Sequence, residues 1–510
     1  MKKLLAGILA ATMMLSLCAC GTKTETPASA AQTQTETKTE TTETTTTSDS
    51  DAVNIVVYRD CFNLGATDSA RTQEVQDAIN DYIKDKINVQ ITLFDISNSE
   101  YPEKANLALN NNEINLLWTA AWMGTVGTKD LYAAKAAYDI TDLLPGSALY
   151  DSMDANQWEG TKYAGRNYFV PVYKDNVEGY NLMFRQDLVD EFGWDLSTVK
   201  SLADIEPMLA DGKTKGLSRT FLLSNTAMFY RFYIDSFDFF TGDSTSDFVA
   251  VDRDTNEVVD TVLTDEYKEF CKLIAKWSDL GYISEDEAAK QTPENTQATD
   301  EWAVSWWTDV PNNDEADVRY SQDVTMVKCT KNYMHTDSAL GSCFAITANS
   351  TEEQAKACVD FLGLLYTDQK LADLYAYGIE GTDFNYNADG YVEKVADATY
   401  NHSMWESASA TVVTAEASSP YTPQMYKDFN GSAVISCANG FQFDKTPVEA
   451  KYTACQDVFN EFGFLLETGG VSEADVDSTL ETYQAKLDEA GYQDVLAAFQ
   501  EQYNEWKKAN

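Results

Sequence analysis

His335 and His402 are the two imidazoles the chain offers. Neither lies in a His-x-x-x-His or Cys/His spacing of the kind that holds zinc, so no metal site is expected. A Ser-His-Asp hydrolase would have to use one of these two, and no Gly-x-Ser-x-Gly elbow is present. Phosphate-cradling Gly-x-x-x-x-Gly-Lys and Gly-x-Gly-x-x-Gly loops are missing as well, so no nucleotide cofactor is expected. Asn385-x-Asn387-x-Asp389-Gly390 begins like a calcium loop, but Ala396 stands where the bidentate Glu belongs. Asp389-Gly390 between Tyr386 and Tyr391 reads better as a hairpin turn. Two facing carboxylates suffice for a glycosidase, but with 82 acidic residues such pairs are inevitable and carry no information. The aromatic residues say more. Trp and Tyr faces stack on the apolar faces of sugar rings, while carboxylates and amides bond the hydroxyls. The 10 Trp and 28 Tyr fit a carbohydrate binder, and equally an aromatic-rich core.

Position on the fold narrows the choice. Val53–Tyr58 reads as a buried strand, Ser69–Lys86 as a helix with Val75, Ala78, Ile79, Tyr82 and Ile83 on one face, and Val89–Phe94 as a second strand. A helix over Tyr101–Asn112 and a short strand over Ile114–Trp118 follow. This alternation predicts an α/β layer with mostly parallel strands. Ligands of such sheets bind beyond the carboxyl ends of the strands. Arg59-Asp60-Cys61 and Thr119 to Trp122 occupy those ends, while Trp118 and Trp122 fit either rim or core. Extended segments at Tyr168–Tyr173 and Gly179–Arg185 flank Lys174-Asp175-Asn176, a crossover to a second lobe. Beyond it, Thr264–Leu280 carries Tyr267, Phe270, Ile274 and Trp277 at helical spacing, which reads as core. Glu301–Trp307 and Gly341–Thr347 read as strands, Glu352–Tyr366 as a helix, and the stretch from Pro447 as helix-rich.

The N-terminal region carries its own chemistry. Met1-Lys2-Lys3 precedes an uncharged apolar run from Leu4 to Ala19, shorter than the ~20 residues a spanning helix needs. It reads as a secretory signal. Leu17-Cys18-Ala19-Cys20-Gly21 resembles a lipobox, in which Cys20 is lipidated and becomes the first mature residue; a plain signal with incidental cysteines is the alternative. Thr22–Ser50 lacks aromatic and large aliphatic residues and is expected to be a disordered tether. As a flexible coil its ends would average roughly 30 Å apart. The body from residue 51 is too long for one compact core and predicts two domains. With 37 basic against 82 acidic residues the chain carries −45 charges, which disfavours nucleic acid as a partner. Seven cysteines remain in the body, and they are expected mostly as buried thiols.

A family resemblance draws these features together. Asp139–Leu144, Glu159-Gly160-Thr161-Lys162-Tyr163-Ala164 through Pro171, and Arg185-Gln186-Asp187-Leu188 to Gly193-Trp194 with Leu202–Leu209 follow one another as in extracellular solute-binding proteins of ABC importers, family 1, which they resemble. Leu364–Asp368, Tyr377-Gly378-Ile379-Glu380-Gly381, Gly440–Asp444 with Pro447-Val448, and Leu487–Trp506 resemble blocks of its LplA-like sugar-uptake lipoproteins. The chain departs from that pattern after Trp405, where Glu406-Ser407-Ala408 replaces a Gly-Asn-Gln-like turn.

The resemblance implies an α/β, two-lobed periplasmic-binding-protein-like fold with hinge crossover strands. Lobe one would hold residues 51–173 and 335–405, and lobe two 177–330 and 425–510. The implied function is capture of a carbohydrate, an oligosaccharide above all, and its delivery to ABC permease subunits by a lipid-anchored monomer on the outer face of the membrane, without catalysis or cofactor. Arg59, Asp60, Trp122, Tyr173, Tyr180, Trp306, Glu380 and Trp405 are the expected cleft residues: aromatics to stack on sugar, with Arg59, Asp60 and Glu380 to hydrogen-bond it. A lipid-anchored glycoside hydrolase and a surface glycan adhesin or sensor are the rival readings, and a peptide or amino-acid ligand stays open.

Overall fold

The computed structural model describes residues 52–62, 69–221, 228–239, 248–283, 302–311, 323–400 and 402–509. The signal-like segment, Cys20 and the Thr-rich segment lie outside them. In chain order the first lobe opens with β1 (Val53–Cys61), α1 (Ser69–Ile83), β2 (Val89–Ser97), α2 (Tyr101–Asn110), β3 (Leu116–Thr119) and β4 (Phe169–Pro171). The chain crosses to β5 (Tyr180–Arg185), β6 (Arg219–Phe221), α3 (Asp265–Asp279), β7 (Trp302–Thr308) and β8 (Val324–Lys328). It returns through β9 (Tyr333–Met334) to β10 (Cys343–Ile346), α4 (Glu352–Leu365), α5 (Gln369–Tyr377), the hairpin β11 (Phe384–Tyr386) and β12 (Val392–Lys394), and the single turn α6 (Met404–Ser407). It crosses again at β13 (Val434–Ile435) and ends with α7 (Val476–Ala490) and α8 (Tyr492–Ala509).

The first sheet has the order β2-β1-β3-β10-β4. β1 lies parallel to β2 and β3, and each parallel step needs a crossover helix, supplied by α1 and α2. Pro102 opens α2, where its missing N–H costs nothing. β10 runs antiparallel to both β3 and β4, a pairing between residues far apart in the chain. The second sheet, β8-β5-β7-β6, is mostly antiparallel. Two cores result. One gathers Ile55, Val57, Leu117, Phe344 and Phe361, and the other Leu182, Phe221, Phe270, Trp277 and Tyr483. The stripe expected along α3 faces the second core, with Tyr267, Phe270, Ile274 and Trp277 buried.

The first core extends past residue 405, through Ala408, Ala410, Val413 and Tyr426. Residues of the segment 406–424, which the sequence assigned to neither lobe, therefore pack with the first, and so does Tyr426, which the sequence placed in lobe two. Strand β1 also runs three residues beyond Tyr58, because its parallel register with β2 continues to Cys61↔Ser97. All seven body cysteines are free thiols. Five are buried, Cys329 is half-buried and Cys437 is exposed.

Three crossover segments join the lobes. Glu178 and Tyr333 exchange backbone bonds of 2.8 Å in both directions. The amides of Val434 and Ser436 reach Asn332 and Met334 carbonyls at 2.8 and 2.9 Å. The crossovers thus form a narrow hydrogen-bonded ribbon. Gly179 is required there, since a Cβ would overlap the Asn332 side chain.

Candidate functional site

The strand ends locate the cleft. Cys61 and Thr119 end β1 and β3, and Thr119 pairs with Cys343, which pairs with Pro171 at the end of β4. The chain leaves for the second lobe from this edge. It arrives at Tyr180, on the edge that also holds Thr308 and Lys328. Residues at these two edges face the junction of the lobes.

At the first edge four rings converge. Phe62 lies 5.4 Å from Trp118, 5.9 Å from Trp122 and 4.8 Å from Trp405, centroid to centroid. Trp118 lies 6.0 Å from Trp122 and 5.8 Å from Trp405. Trp118 is the buried base, its indole N–H donating to Ser342 Oγ at 2.9 Å. Trp122 is 54% exposed, and its Nε1 donates to the Gly341 carbonyl at 2.7 Å. Trp405 is half-buried on α6. Of the expected residues, Trp122 and Trp405 are therefore brought together. Phe62 was not anticipated; its place one residue beyond the end of β1 was the signal available.

At the second edge Tyr180 lies 5.9 Å from Trp306 and 6.2 Å from Tyr230, centroid to centroid. The Arg231 guanidinium sits 4.3 Å above the Trp306 ring. Trp306 and Tyr230 are half-buried, whereas Tyr180 is 4% exposed and its hydroxyl donates to Glu178. Tyr180 and Trp306 thus share a cluster in which Trp306 and Tyr230 hold the open surface. Glu178 also meets His335 Nε2 at 2.6 Å. Burial opposes ionisation of Glu178, but His335 and Tyr180 outweigh it and bring the carboxyl to about 2. Burial likewise opposes charge on His335, and Glu178 overrides it and raises the imidazole above its ordinary value. Tyr173, at the first crossover, is 2% exposed and pairs with Ser409 in an isolated bridge.

Arg59 and Glu380 differ from expectation. Arg59 is 2% exposed. Its Nε donates to Asp95 Oδ1 at 2.7 Å, one Nη to the Tyr375 carbonyl at 2.6 Å and the other to the Tyr400 hydroxyl, while the Tyr375 ring stacks 4.3 Å away. Its donors are spent on the protein, so it serves as an internal tie and is not open to a ligand. Glu380 is exposed on the turn before β11 and bridges to Phe384, with no contact to either ring cluster among the described residues. The Gly-x-x-Gly around it is a backbone requirement. Gly378 has φ +87°, and a Cβ there would overlap the Asp383 carboxylate that caps the Ile379 amide at 2.7 Å.

Asp60 is 1% exposed near the end of β1. Asn98 Nδ2 donates to its Oδ2 at 3.0 Å, and its Oδ1 is buried without a partner. Burial, with Glu406 adding, pushes its carboxyl up to about 7. Beside it Cys61, Asp95 and His402 place one ligand-type atom each within 4.8 Å of one another. The sequence offered no such cluster. Arg59 already neutralises Asp95, so the group reads as an ion network. The calcium-like loop is the β11–β12 turn, as expected, with Asn387 Oδ1 accepting the Asp389 and Tyr391 amides at 3.0 Å. A separate cavity of about 480 Å³ is lined by Glu159, Asn256, Cys437, Asn439, Trp506 and Lys507. It shares no residue with either ring cluster.

The profile of the bacterial extracellular solute-binding proteins matches residues 77–389. The chain belongs to that family. Membership accounts for the two sheets and the crossover ribbon, and it implies an exported protein. No described helix is long and apolar enough to cross a membrane. Residues 437–508 also match a domain of unknown function (DUF3502). A carbohydrate ABC transporter substrate-binding protein of Streptococcus pneumoniae is 25% identical over 397 residues, 74% of this chain and 77% of that protein. The crystal structure of the N-glycan transport solute-binding protein NgtS from Streptococcus pneumoniae superposes with a TM-score of 0.75 at 22% identity, covering 89% of this chain and 99% of that one. A human-milk-oligosaccharide-binding solute-binding protein from Bifidobacterium longum infantis gives 0.60 at 14% identity, covering 89% and 99%.

Proposed function

We propose that this protein is the substrate-binding component of an ABC importer that captures an oligosaccharide between its lobes and delivers it to the permease. One observation carries the reading: a four-ring platform with Trp122 54% exposed stands at the carboxyl ends of β1 and β3. Trp306 and Tyr230 answer it at the facing edge of the second lobe. Flat apolar rings suit a sugar, whose ring faces are apolar; Asp60, expected as a hydrogen-bonding partner of the ligand, is 1% exposed and does not reach it. A ligand touching both clusters selects the closed form, because those contacts are complete only there. The sugar named for NgtS complexes, Man5GlcNAc, is a rational first probe.

The likeness of Leu17–Gly21 to a lipobox supports attachment through Cys20 to the outer face of the membrane, with the lobes monomeric and held away by the Thr-rich segment. The protein acts by binding, without turnover. The test is a thermal-shift and calorimetric screen of the chain against mono- and oligosaccharides. A ligand at 100 times its Kd should stabilise the fold by about 2.7 kcal/mol. Silence across the sugars would refute the carbohydrate reading, and cleavage of a bound glycan by the pure protein would replace it with a hydrolase.

A further inference from the structure

The platform's two outer elements are tied together beneath the rings by one side chain. His402 precedes α6, the turn that carries Trp405, and its backbone amide is held by the Ala376 carbonyl at 2.9 Å. Its Nε2 lies 3.4 Å from Asp95 Oδ1 and 3.6 Å from Cys61 Sγ. Cys61 directly precedes Phe62, the ring that touches both Trp122 and Trp405. Its Nδ1 lies 3.5 Å from Glu406 Oε1, and that same oxygen accepts the Ser403 amide at 2.7 Å and so closes α6. His402 and Glu406 are 1% and 3% exposed, so water cannot replace these contacts.

We propose that His402 is a positioning residue for the ligand-facing rings: its imidazole joins the strand end carrying Phe62 to the turn carrying Trp405 and so sets the platform's geometry. The proposal rests on the carbohydrate reading only for its affinity arm. The charged and titratable groups around the ring are Arg59, Asp60 and Cys61 from β1, Asp95 from β2, Tyr400 from the segment before α6, and Glu406 from α6. Burial and Arg59 oppose a charged ring; Cys61 and Asp95 outweigh them and hold it well above its ordinary value. The ring stands between two carboxylates, Asp95 and Glu406, at 3.4 and 3.5 Å. Loss of the ring's proton as pH rises would weaken the tie between the two elements.

The experiment compares wild type, His402→Gln and Glu406→Gln by near-ultraviolet circular dichroism in the indole band, by thermal unfolding, and by calorimetry with Man5GlcNAc. Expected are folded variants with an altered indole signature, affinity reduced about tenfold, and, in wild type alone, a signature that changes as pH rises above neutral. An indole signature unchanged in both variants overturns the proposal. So does one divalent metal ion per wild-type chain that His402→Gln lacks, since the cluster would then be a metal centre. If His402→Gln does not fold, Glu406→Gln decides by the same signature. Failure of the wild type to bind Man5GlcNAc bears on the choice of sugar and leaves the spectroscopic result standing.

Discussion

Trp122→Ala separates ligand affinity from stability. A tryptophan carries on the order of 250 Å² of surface. At 54% exposure about 135 Å² of Trp122 is open to a ligand. A sugar covering about 80 Å² of it, at ~25 cal/mol per Å², gains ~2 kcal/mol, about thirtyfold in Kd. The folded protein loses a comparable amount, which thermal unfolding reads separately. The indole gives up its bond to the Gly341 carbonyl, an edge contact to Phe62 and a tilted contact to Trp118, at a site where water can return. That amounts to about 2–4 kcal/mol. Calorimetry with the glycan that gives the largest thermal shift should show the affinity loss, while Trp122→Phe, which keeps a ring, recovers part of it. If Trp122→Ala binds every wild-type ligand within a factor of two, the platform is not the binding surface.

Glu178→Gln should destabilise the protein by about 3 kcal/mol, the cost of breaking a buried pair, because His335 loses its partner at 2.6 Å. Glu178 is depressed to about 2 and His335 is raised, so the pair contributes in full between the unfolded values of ~4.3 and ~6.5. The contribution fades as pH falls through about 2 or rises through the folded histidine value, and melting temperatures of both proteins across pH would show the gap narrowing at each end. Asp60 has the opposite sign. Its folded value of about 7 exceeds the unfolded ~3.9, so native stability declines as pH rises between the two, and Asp60→Asn should gain on wild type over that interval and level off above it. A constant difference in melting temperature would contradict the buried environment assigned to Asp60. Cys20→Ala in the full chain should move the protein from the membrane fraction to the medium, and retention on the membrane would argue against the lipid anchor.

The sequence made legible what is local or periodic. The alternation from Val53 and the helical stripes placed β1, α1, β2 and α3, because a strand or helix buries one face wherever it packs. Glu352–Tyr366 came within a residue of α4, whose start is marked by the Thr351–Gln354 capping box. Pairing over long range was not legible. No pattern near Cys343 tells that β10 enters antiparallel between β3 and β4. The site follows the same division. Trp122 and Trp405 were named singly, one from a strand end and one from a motif, but their joining through Phe62 and Trp118 is tertiary. Arg59 stands at a strand end as a ligand-binding residue would, and residue type could not reveal that Asp95, Tyr375 and Tyr400, distant in the chain, converge on it.

On the proposed reading, these placements divide the work of binding unequally between the lobes. The first-lobe platform is fixed before any ligand arrives: Trp118 is anchored to Ser342, Trp122 to Gly341, and Trp405 by the network through His402. A ligand meeting it freezes few side chains, so little of its binding energy is lost to ordering. The second-lobe cluster stands next to the ribbon itself, since Tyr180 bonds Glu178, and Glu178 pairs with Tyr333 and His335 in the second crossover. Contacts made there act within two residues of the hinge. On that proposed reading, the first lobe chiefly sets affinity and the second translates occupancy into closure. Substitutions in the Trp122 cluster should change Kd, whereas those around Tyr180 should change the equilibrium between open and closed forms.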